Sequence, residues 1–255
     1  MAPTQDDKLS FLQPDTPVGD GGGEKSEKFS FTNFAEHFDE HINTSIRGYA
    51  ELRDDIVGIS KYFVENGTMV VDIGCSQGSL IRRIRDTNEH APDATYVGID
   101  VNQSFQQHWQ DEQNLKFLIE DVRTWDGLEN LSLAVSLFTF QFIPERDRLR
   151  LMQKIYDNLV DGGAFVCSEK IFSKNAKVQD MMDSLYYDFK KKSFTEKEIL
   201  DKEQELRHLA KNTTETLLMN QLRNIGFRGI QVFWRNFNFI GVLAMKRPTE
   251  ELEDE

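Results

Sequence analysis

The chain has 255 residues, of which 39% are apolar, enough to build the core of one α/β domain. It contains no run of 18 apolar residues and no basic-then-apolar leader, so we expect neither a membrane span nor secretion. Cys75 and Cys167 are the only cysteines. Two cysteines exclude a disulfide framework and favour a reducing compartment, which predicts a cytoplasmic protein.

The net charge of −13 is concentrated at the two ends of the chain. Residues 1–28 hold six acids against three lysines, with three prolines and three consecutive glycines, and predict a disordered N-terminal arm. Residues 248–255 hold five acids and no base, and predict an acidic tail. The domain between them, 29–247, shows no basic stripe of the kind that grips a phosphate backbone. We therefore expect a small-molecule substrate and no direct binding of nucleic acid.

Helical spacing and apolar runs alternate along this domain. The predicted helices, in chain order, are 34–49, 52–64, 79–85, 145–158 and 216–225, and the predicted strands are 68–73, 95–100, 115–121, 131–138, 164–169, 229–235 and 237–246. Such alternation specifies a mostly parallel sheet with right-handed crossovers. Residues from about 171 to 215 break it with a charged, helically periodic stretch, which predicts a helical lid. The last two strands predict an antiparallel hairpin on the edge of a seven-stranded, Rossmann-like sheet.

A glycine-containing loop, Asp72-Ile-Gly74-Cys-Ser-Gln-Gly78, joins the first predicted strand to a helix. Glycine permits close approach of the backbone to a ligand, and the helix N-terminus beyond it offers N–H donors. In open α/β sheets this crevice is where ligands bind. Alone the spacing is a weak signal, since a tight strand-to-helix turn has the same pattern.

Two further acids follow the next two predicted strands. Asp100 lies 22 residues after Gly78, close to the offset of about 20 expected for an acid that accepts ribose hydroxyl hydrogen bonds. Asp121 ends the third strand, where we expect it to meet an adenine amino group. A nicotinamide dehydrogenase would share Asp100, but its fingerprint requires G-x-G-x-x-G, and Ser76 stands at the middle position.

Other polar residues have simpler interpretations. His37 and His41 share a helix face, but no third ligand follows at useful spacing, so we predict no metal site. Cys75 is interpreted as a small residue of the pocket wall. The run Lys190-Lys191-Lys192 is typical of a solvated face. In the lid, Tyr186 and Tyr187 are the candidates for substrate contact.

From about residue 29 to residue 246 the chain resembles the carboxy-S-adenosylmethionine (carboxy-SAM) synthase family, a branch of the class I S-adenosylmethionine (SAM)-dependent methyltransferases. The order and spacing of twelve motifs carry the resemblance: FDEHI (38–42), SIRGY (45–49), DIGCS (72–76), FTFQF (138–142), KIY (154–156), DGGA (161–164), SEK (168–170), AKV (176–178), DFK (188–190), ET (215–216), GF (226–227) and FNF (237–239). The resemblance implies the class I methyltransferase fold.

The family makes carboxy-SAM from SAM and prephenate, and a second enzyme uses the product to modify the wobble uridine of transfer RNA. The resemblance therefore implies SAM or carboxy-SAM as cofactor, and a homodimer. Beside Asp72 and Gly78 of the loop, it implies ligand contacts at Tyr49, Gly74, Cys75, Ser76, Asp100, Val101, Asp121 and Val122.

The sequence departs from the family at two ligand positions. Leu137 replaces an Asn in the fourth strand. A lid Arg that pairs with the extra carboxylate of carboxy-SAM falls on Lys202 or Glu203, depending on a one-residue gap. A Glu would repel the carboxylate, and a Lys lacks the bidentate fork. Arg207, one helical turn beyond Glu203, is a candidate replacement.

These departures leave three interpretations open. The chain is a methyltransferase acting on an unknown acceptor, an authentic carboxy-SAM synthase, or a non-catalytic SAM-binding or assembly module. Methyl transfer depends mainly on positioning, so the sequence identifies no catalytic base.

Overall fold

The computed structural model describes residues 38–247. The predicted arm at 1–28, the residue His37 and the predicted acidic tail at 248–255 lie outside this part of the chain.

Seven strands and seven α-helices make up the described domain. The helices are α1 (Phe38–Ser45), α2 (Tyr49–Ser60), α3 (Ser79–Thr87), α4 (Glu145–Asn158), α5 (Ala176–Lys190), α6 (Glu196–Leu209) and α7 (Glu215–Ile225). The strands are β1 (Met69–Ile73), β2 (Thr95–Asp100), β3 (Leu115–Ile119), β4 (Leu131–Leu137), β5 (Leu159–Lys170), β6 (Arg228–Asn236) and β7 (Phe239–Met245). Two short 3-10 helices, Gln103–His108 and Phe140–Phe142, follow β2 and β4.

The strands form one sheet in the order β3-β2-β1-β4-β5-β7-β6. The first five strands are parallel, whereas β7 pairs antiparallel with β5 and with β6. The direction of winding reverses between β1 and β4, and the crevice at such a switch point is the usual ligand site of open α/β sheets. The predicted fold class is confirmed, including the antiparallel hairpin at the edge.

Alternation along the strands divides the core between the two faces of the sheet. Val70 packs into the cluster beneath α2 and α3, and Val71 into the cluster beneath α4 and α7. Asp72 therefore projects on the face of α2 and α3. This geometry places the first acid of the loop beside the side chains of α2.

Two local predictions were wrong at their boundaries. The predicted entry helix ends at Ser45, because Gly48 takes a φ of +77° and α2 begins anew at Tyr49. The segment 161–163, which lies between the predicted helix 145–158 and the predicted strand 164–169, belongs to β5. There the register with β4 shifts between Leu131 and Leu133, and Gly162 adopts a φ of +77°, as in a bulge.

Candidate ligand-binding site

A cavity of about 500 Å³ opens at the carboxyl ends of the parallel strands, a volume within the range of small-molecule sites. It is lined by most of the predicted ligand residues, namely Tyr49, Asp72, Gly74, Cys75, Ser76, Asp100, Val101, Asp121, Val122, Tyr186 and Lys202. Leu137, which replaces the family's Asn, also lines it. Gly78 and Arg207 are not among the lining residues.

The loop between β1 and α3 is held in an unusual backbone conformation. Gly74 and Gly78 have φ values of +77° and +75°, which glycine adopts without steric cost. A Cβ on Gly74 would lie 2.1 Å from Thr139 Oγ1, and one on Gly78 would lie 2.3 Å from Phe117 Cε1. Ser76 also has positive φ, at 49°. The loop therefore needs glycine at both positions for packing as well as for its dihedral angles.

The N–H groups of this loop are largely used within the protein. Those of Gly74 and Cys75 donate to Ile99 O at 2.8 and 3.2 Å, and that of Ser76 donates to Asp100 Oδ2 at 3.0 Å. The backbone N–H groups of residues 74–76 are therefore already used within the protein, and the predicted N–H donors belong to the N-terminus of α3 beyond the loop. The carbonyl oxygens of Cys75 and Ser76 are used within the protein as well, since they accept from Gly78 N at 2.7 Å and from Trp109 Nε1 at 2.8 Å.

Asp100 is fixed at the end of β2 by two backbone donors. Oδ2 accepts from Ser76 N, and Oδ1 accepts from Asn102 N at 2.9 Å. Burial raises the pKa of Asp100, against the opposing effect of these hydrogen bonds. Each carboxylate oxygen retains a second lone pair. The side chain is therefore oriented to accept further hydrogen bonds from a ligand.

Asp72 and Tyr49 form the buried wall behind the loop. Burial raises the pKa of Asp72 to about 7, and the Arg53 guanidinium opposes this effect. Arg53 donates to Asp39 Oδ2 at 3.0 Å and to Ser79 Oγ at 2.8 Å. Its guanidinium also lies 5.6 Å from the centre of the Tyr49 ring. This network ties α1, α2 and α3 together around the loop.

Asp121 is engaged by its neighbour Arg123. Arg123 Nε donates to both carboxylate oxygens at 2.9 and 3.0 Å, and its backbone N–H donates to Oδ1 at 3.0 Å. The hydrogen bonds from Arg123 lower the pKa of Asp121. Val122, buried beside it, provides an apolar wall. A contact between Asp121 and adenine remains a prediction.

Three lysines line the opposite end of the cavity: Lys170 at the end of β5, Lys190 at the end of α5 and Lys202 in α6. We call them the lysine cluster. The Nζ atoms of Lys170 and Lys190 lie 5.1 and 5.5 Å from the centre of the Tyr186 ring. Burial lowers the pKa of all three, to about 8 for Lys190 and Lys202.

The prediction that Lys190 lies on a solvated face was wrong. Its side chain is buried, whereas Lys191 and Lys192 are exposed. Lys190 is the last residue of α5, and the helical position of Tyr186 four residues earlier turns both side chains to the cavity. The sequence spacing alone did not distinguish Lys190, because Tyr187 stands four residues before the exposed Lys191 in the same way.

The rotation of α6 about its axis determines which residue of the lid faces the cavity. Lys202 and Leu206, four residues apart, line it. Glu203 lies on the adjacent stripe and accepts a hydrogen bond from Tyr187 Oη. Arg207 follows Glu203 on that stripe and is exposed, so this conformation does not bring it to the cavity. Of the three lid positions considered, Lys202, Glu203 and Arg207, the structure brings only Lys202 to the site.

His41 of α1 lies against the lysine cluster rather than in a metal site. Its Nε2 contacts Lys202 Nζ, and its ring packs edge-on against Phe194 at a centroid distance of 5.6 Å. Among residues 38–247 no group of three metal-ligating side chains occurs. In the same part of the chain, no helix has both the length and the apolar character needed to cross a bilayer.

Comparison with known proteins assigns the family. A methyltransferase-domain family model matches residues 70–163. The chain is 32% identical over 222 residues to the carboxy-SAM synthase of Staphylococcus epidermidis, a match that spans 86% of this chain and 96% of the relative. The protein belongs to the carboxy-SAM synthase family. It is accordingly a SAM-dependent transferase of the class I methyltransferase superfamily.

Solved structures agree with this fold. Human N-acetylserotonin methyltransferase in complex with SAM aligns with a TM-score of 0.55 at 16% identity, covering 85% of this chain and 55% of that chain. A SAM-dependent methyltransferase from Aquifex aeolicus aligns with a TM-score of 0.55 at 14% identity, covering 86% and 99%. At these identities the likeness concerns the fold alone.

Proposed function

We propose that this protein synthesises carboxy-SAM from SAM and a carboxylate donor, prephenate in its relatives. The observation that carries the proposal is the bipolar cavity. Carboxylates at the strand ends and the lysine cluster of β5, α5 and α6 line the same cavity of about 500 Å³. Carboxy-SAM has a matching polarity, with an adenosyl sulfonium at one end and an added carboxylate on the sulfonium methyl carbon.

The strand-end half of the cavity fits the common part of SAM and carboxy-SAM. Asp100 offers carboxylate lone pairs to the two ribose hydroxyls, and its orientation is fixed before a ligand arrives. Val122 and Phe105 provide buried apolar surface for a planar base. Asp72 lines this half of the cavity and supplies negative charge for the sulfonium and ammonium groups.

The lysine cluster supports the carboxylated product over plain methyl transfer to a neutral acceptor. Replacing a methyl hydrogen by a carboxylate adds a negative charge, and a half-buried anion needs a cationic partner. Lys202 lines the cavity. Glu203, whose carboxylate would repel the added carboxylate of the ligand, accepts a hydrogen bond from Tyr187 instead and does not line the cavity. A lysine supplies a point charge where the family's arginine supplies a fork, so we expect weaker orientation of the carboxylate.

Bound SAM would supply its sulfonium methyl carbon, and the side chains of this chain would orient it. With prephenate as donor the reaction balances if the ring carboxylate leaves as CO₂ and bonds to that carbon, while the expelled ring hydroxide takes the methyl proton and leaves as water. Asp100 holds the ribose, the loop at 74–76 places the methionine end, and Lys170 and Lys190 hold the donor's carboxylate beside the Tyr186 ring. The apolar lining, with Leu137, Phe138 and Phe239, excludes water from the reacting carbons. The product would serve a separate enzyme of transfer-RNA modification, which agrees with small-molecule binding by this chain.

Mass spectrometry of small molecules tests this proposal. The full-length protein would be denatured after purification to identify any released ligand, and then incubated with SAM and prephenate. We expect carboxy-SAM from the wild type and a strongly reduced yield from Lys202→Met. Lys191→Met, which changes an exposed lysine of the same lid, is the matched control.

Other products would separate the alternatives. S-Adenosylhomocysteine together with a methylated acid would identify a methyltransferase of acidic acceptors. A melting temperature that saturating SAM leaves unchanged would indicate an assembly module, since any ligand of the folded state stabilises it by mass action.

A further inference from the structure

Helix α1 brings a histidine to the lysine cluster from outside the lid. His41 lines the cavity beside Lys202, although the two residues are 161 positions apart in the chain. Its Nε2 contacts Lys202 Nζ, and Ser45 Oγ lies 3.5 Å from the same nitrogen. The contact therefore joins the N-terminal side of the cavity to α6.

The charges around this pair determine which group donates. Burial lowers the pKa of His41 to about 4, with Lys202 and Lys190 acting in the same direction, so the imidazole is neutral near pH 7. Lys202 is affected by Lys190, which lowers its pKa, and by Glu205, which raises it. An ammonium has donors only, so a neutral imidazole accepts from it through an unprotonated nitrogen.

We infer that His41 is a positioning residue whose Nε2 accepts a hydrogen bond from Lys202 and holds that ammonium in the cavity to meet the ligand's carboxylate. The inference rests on the function proposed above. Lysine has a long, flexible side chain, and a buried hydrogen bond that fixes one of its donors lowers the entropy lost when an anion binds. A ligand without the extra carboxylate gains nothing from this contact.

The test compares two ligands on the full-length protein by calorimetry. In His41→Ala we expect the affinity for carboxy-SAM to fall about tenfold, the effect of losing one hydrogen bond to a charged group, while the affinity for SAM stays within about twofold. His41→Gln offers an amide oxygen to Lys202 and should recover most of the loss. His90→Ala removes an exposed histidine whose Nε2 lies 3.1 Å from Val64 O, outside the cavity, and should bind both ligands like the wild type.

Three outcomes would overturn the inference. These are an unchanged carboxy-SAM affinity in His41→Ala, an equal loss for SAM and carboxy-SAM, and a failure of His41→Gln to recover binding while its melting temperature matches the wild type. A wild-type protein that binds SAM without preferring carboxy-SAM would instead show that the proposed function itself is wrong. That result is read from the wild type alone, so the two failures are distinguishable.

Discussion

The two ends of the cavity are built in opposite ways. The strand end is made of backbone: positive-φ glycines, loop N–H groups that bond inside the protein, and Asp100, which two backbone donors hold in place. The lid end is made of long side chains. Its lysines come from β5, α5 and α6, and they are oriented by the Tyr186 ring and by His41.

Because of this difference, we expect the two ends of the cavity to tolerate substitution to different degrees. A backbone-built end is over-determined by packing, so substitutions there disturb the fold as well as the ligand. At the lid end a single exchange alters charge and reach while the sheet stays intact. We therefore expect the strand end to set affinity for the adenosyl group and the lid to set which group SAM carries.

Gly74→Ala should produce the largest effect. An alanine at a φ of +77° is strained, and its Cβ would lie 2.1 Å from Thr139 Oγ1. We expect a loss of about 2–4 kcal/mol in the free energy of unfolding and SAM binding more than about a hundredfold weaker. Denaturant titration and calorimetry measure the two quantities.

Gly58→Ala is the control for that variant. Gly58 lies inside α2, and a Cβ there has no atom within 4 Å. Alanine should therefore stabilise the helix by about 0.5–1 kcal/mol and leave SAM binding unchanged. Equal behaviour of the two variants would show that the loop conformation does not depend on glycine.

Asp100→Asn comes next in size. An amide has one acceptor oxygen, so its NH₂ group would face either Ser76 N–H or Asn102 N–H, and the charge for the ribose hydroxyls is lost. We expect SAM and carboxy-SAM to bind about thirtyfold more weakly, by the same factor for each. Asp55→Asn, on the exposed side of α2, should bind both like the wild type. A selective loss of one ligand would contradict the division between the two ends.

Lys190→Met should act on the lid end alone. Removal of a buried cation relieves its desolvation cost, so the melting temperature should rise, while carboxy-SAM binds about tenfold more weakly and SAM binds unchanged. Lys191→Met, one residue along and paired with Glu196 at the surface, should change neither ligand's affinity. A weakened SAM affinity in Lys190→Met would contradict this assignment, because it would show that Lys190 contacts a part of the ligand that SAM and carboxy-SAM share.

Changes in pH should give the smallest effect. The lowered pKa of Lys190 and Lys202, about 8 for each, means that the cations are lost between pH 7 and 9.5, so the preference for carboxy-SAM over SAM should fall several-fold. The unliganded protein should gain stability from these two lysines over the same interval, because the unfolded chain still binds protons that the folded chain has released. Calorimetry at several pH values should show a flatter profile in Lys202→Met.

Much of the strand end was predictable from the sequence because its signals are local. The apolar run before Asp72, the glycine spacing and the acid 22 residues after Gly78 specify a strand, a turn and a carboxylate at the end of the next strand without knowledge of the rest. The parallel order then brings Asp72 and Asp100 to one edge of the sheet. The internal use of the loop N–H groups was not predictable, since it depends on the neighbouring strand carbonyl of Ile99.

The lid end depends on contacts between distant segments. Lys190 stands in a run of three lysines, and only packing against Tyr186 and Phe194 shows that it turns inward. The choice between Lys202 and Glu203 depended on the rotation of α6, which a one-residue gap in the alignment leaves open. His41 reaches Lys202 from a segment 161 residues earlier, a distance over which periodicity carries no information.

The indole of Trp109 gives the loop a built-in optical probe. Its Nε1–H donates to Ser76 O at 2.8 Å, and its ring stacks on Phe117 at 5.4 Å between ring centroids. Any molecule that displaces or polarises the Ser76 carbonyl will alter the emission of this fluorophore. Titrations can therefore follow the arrival of a nucleoside at the turn without a dye, and Trp109→Phe would silence the signal.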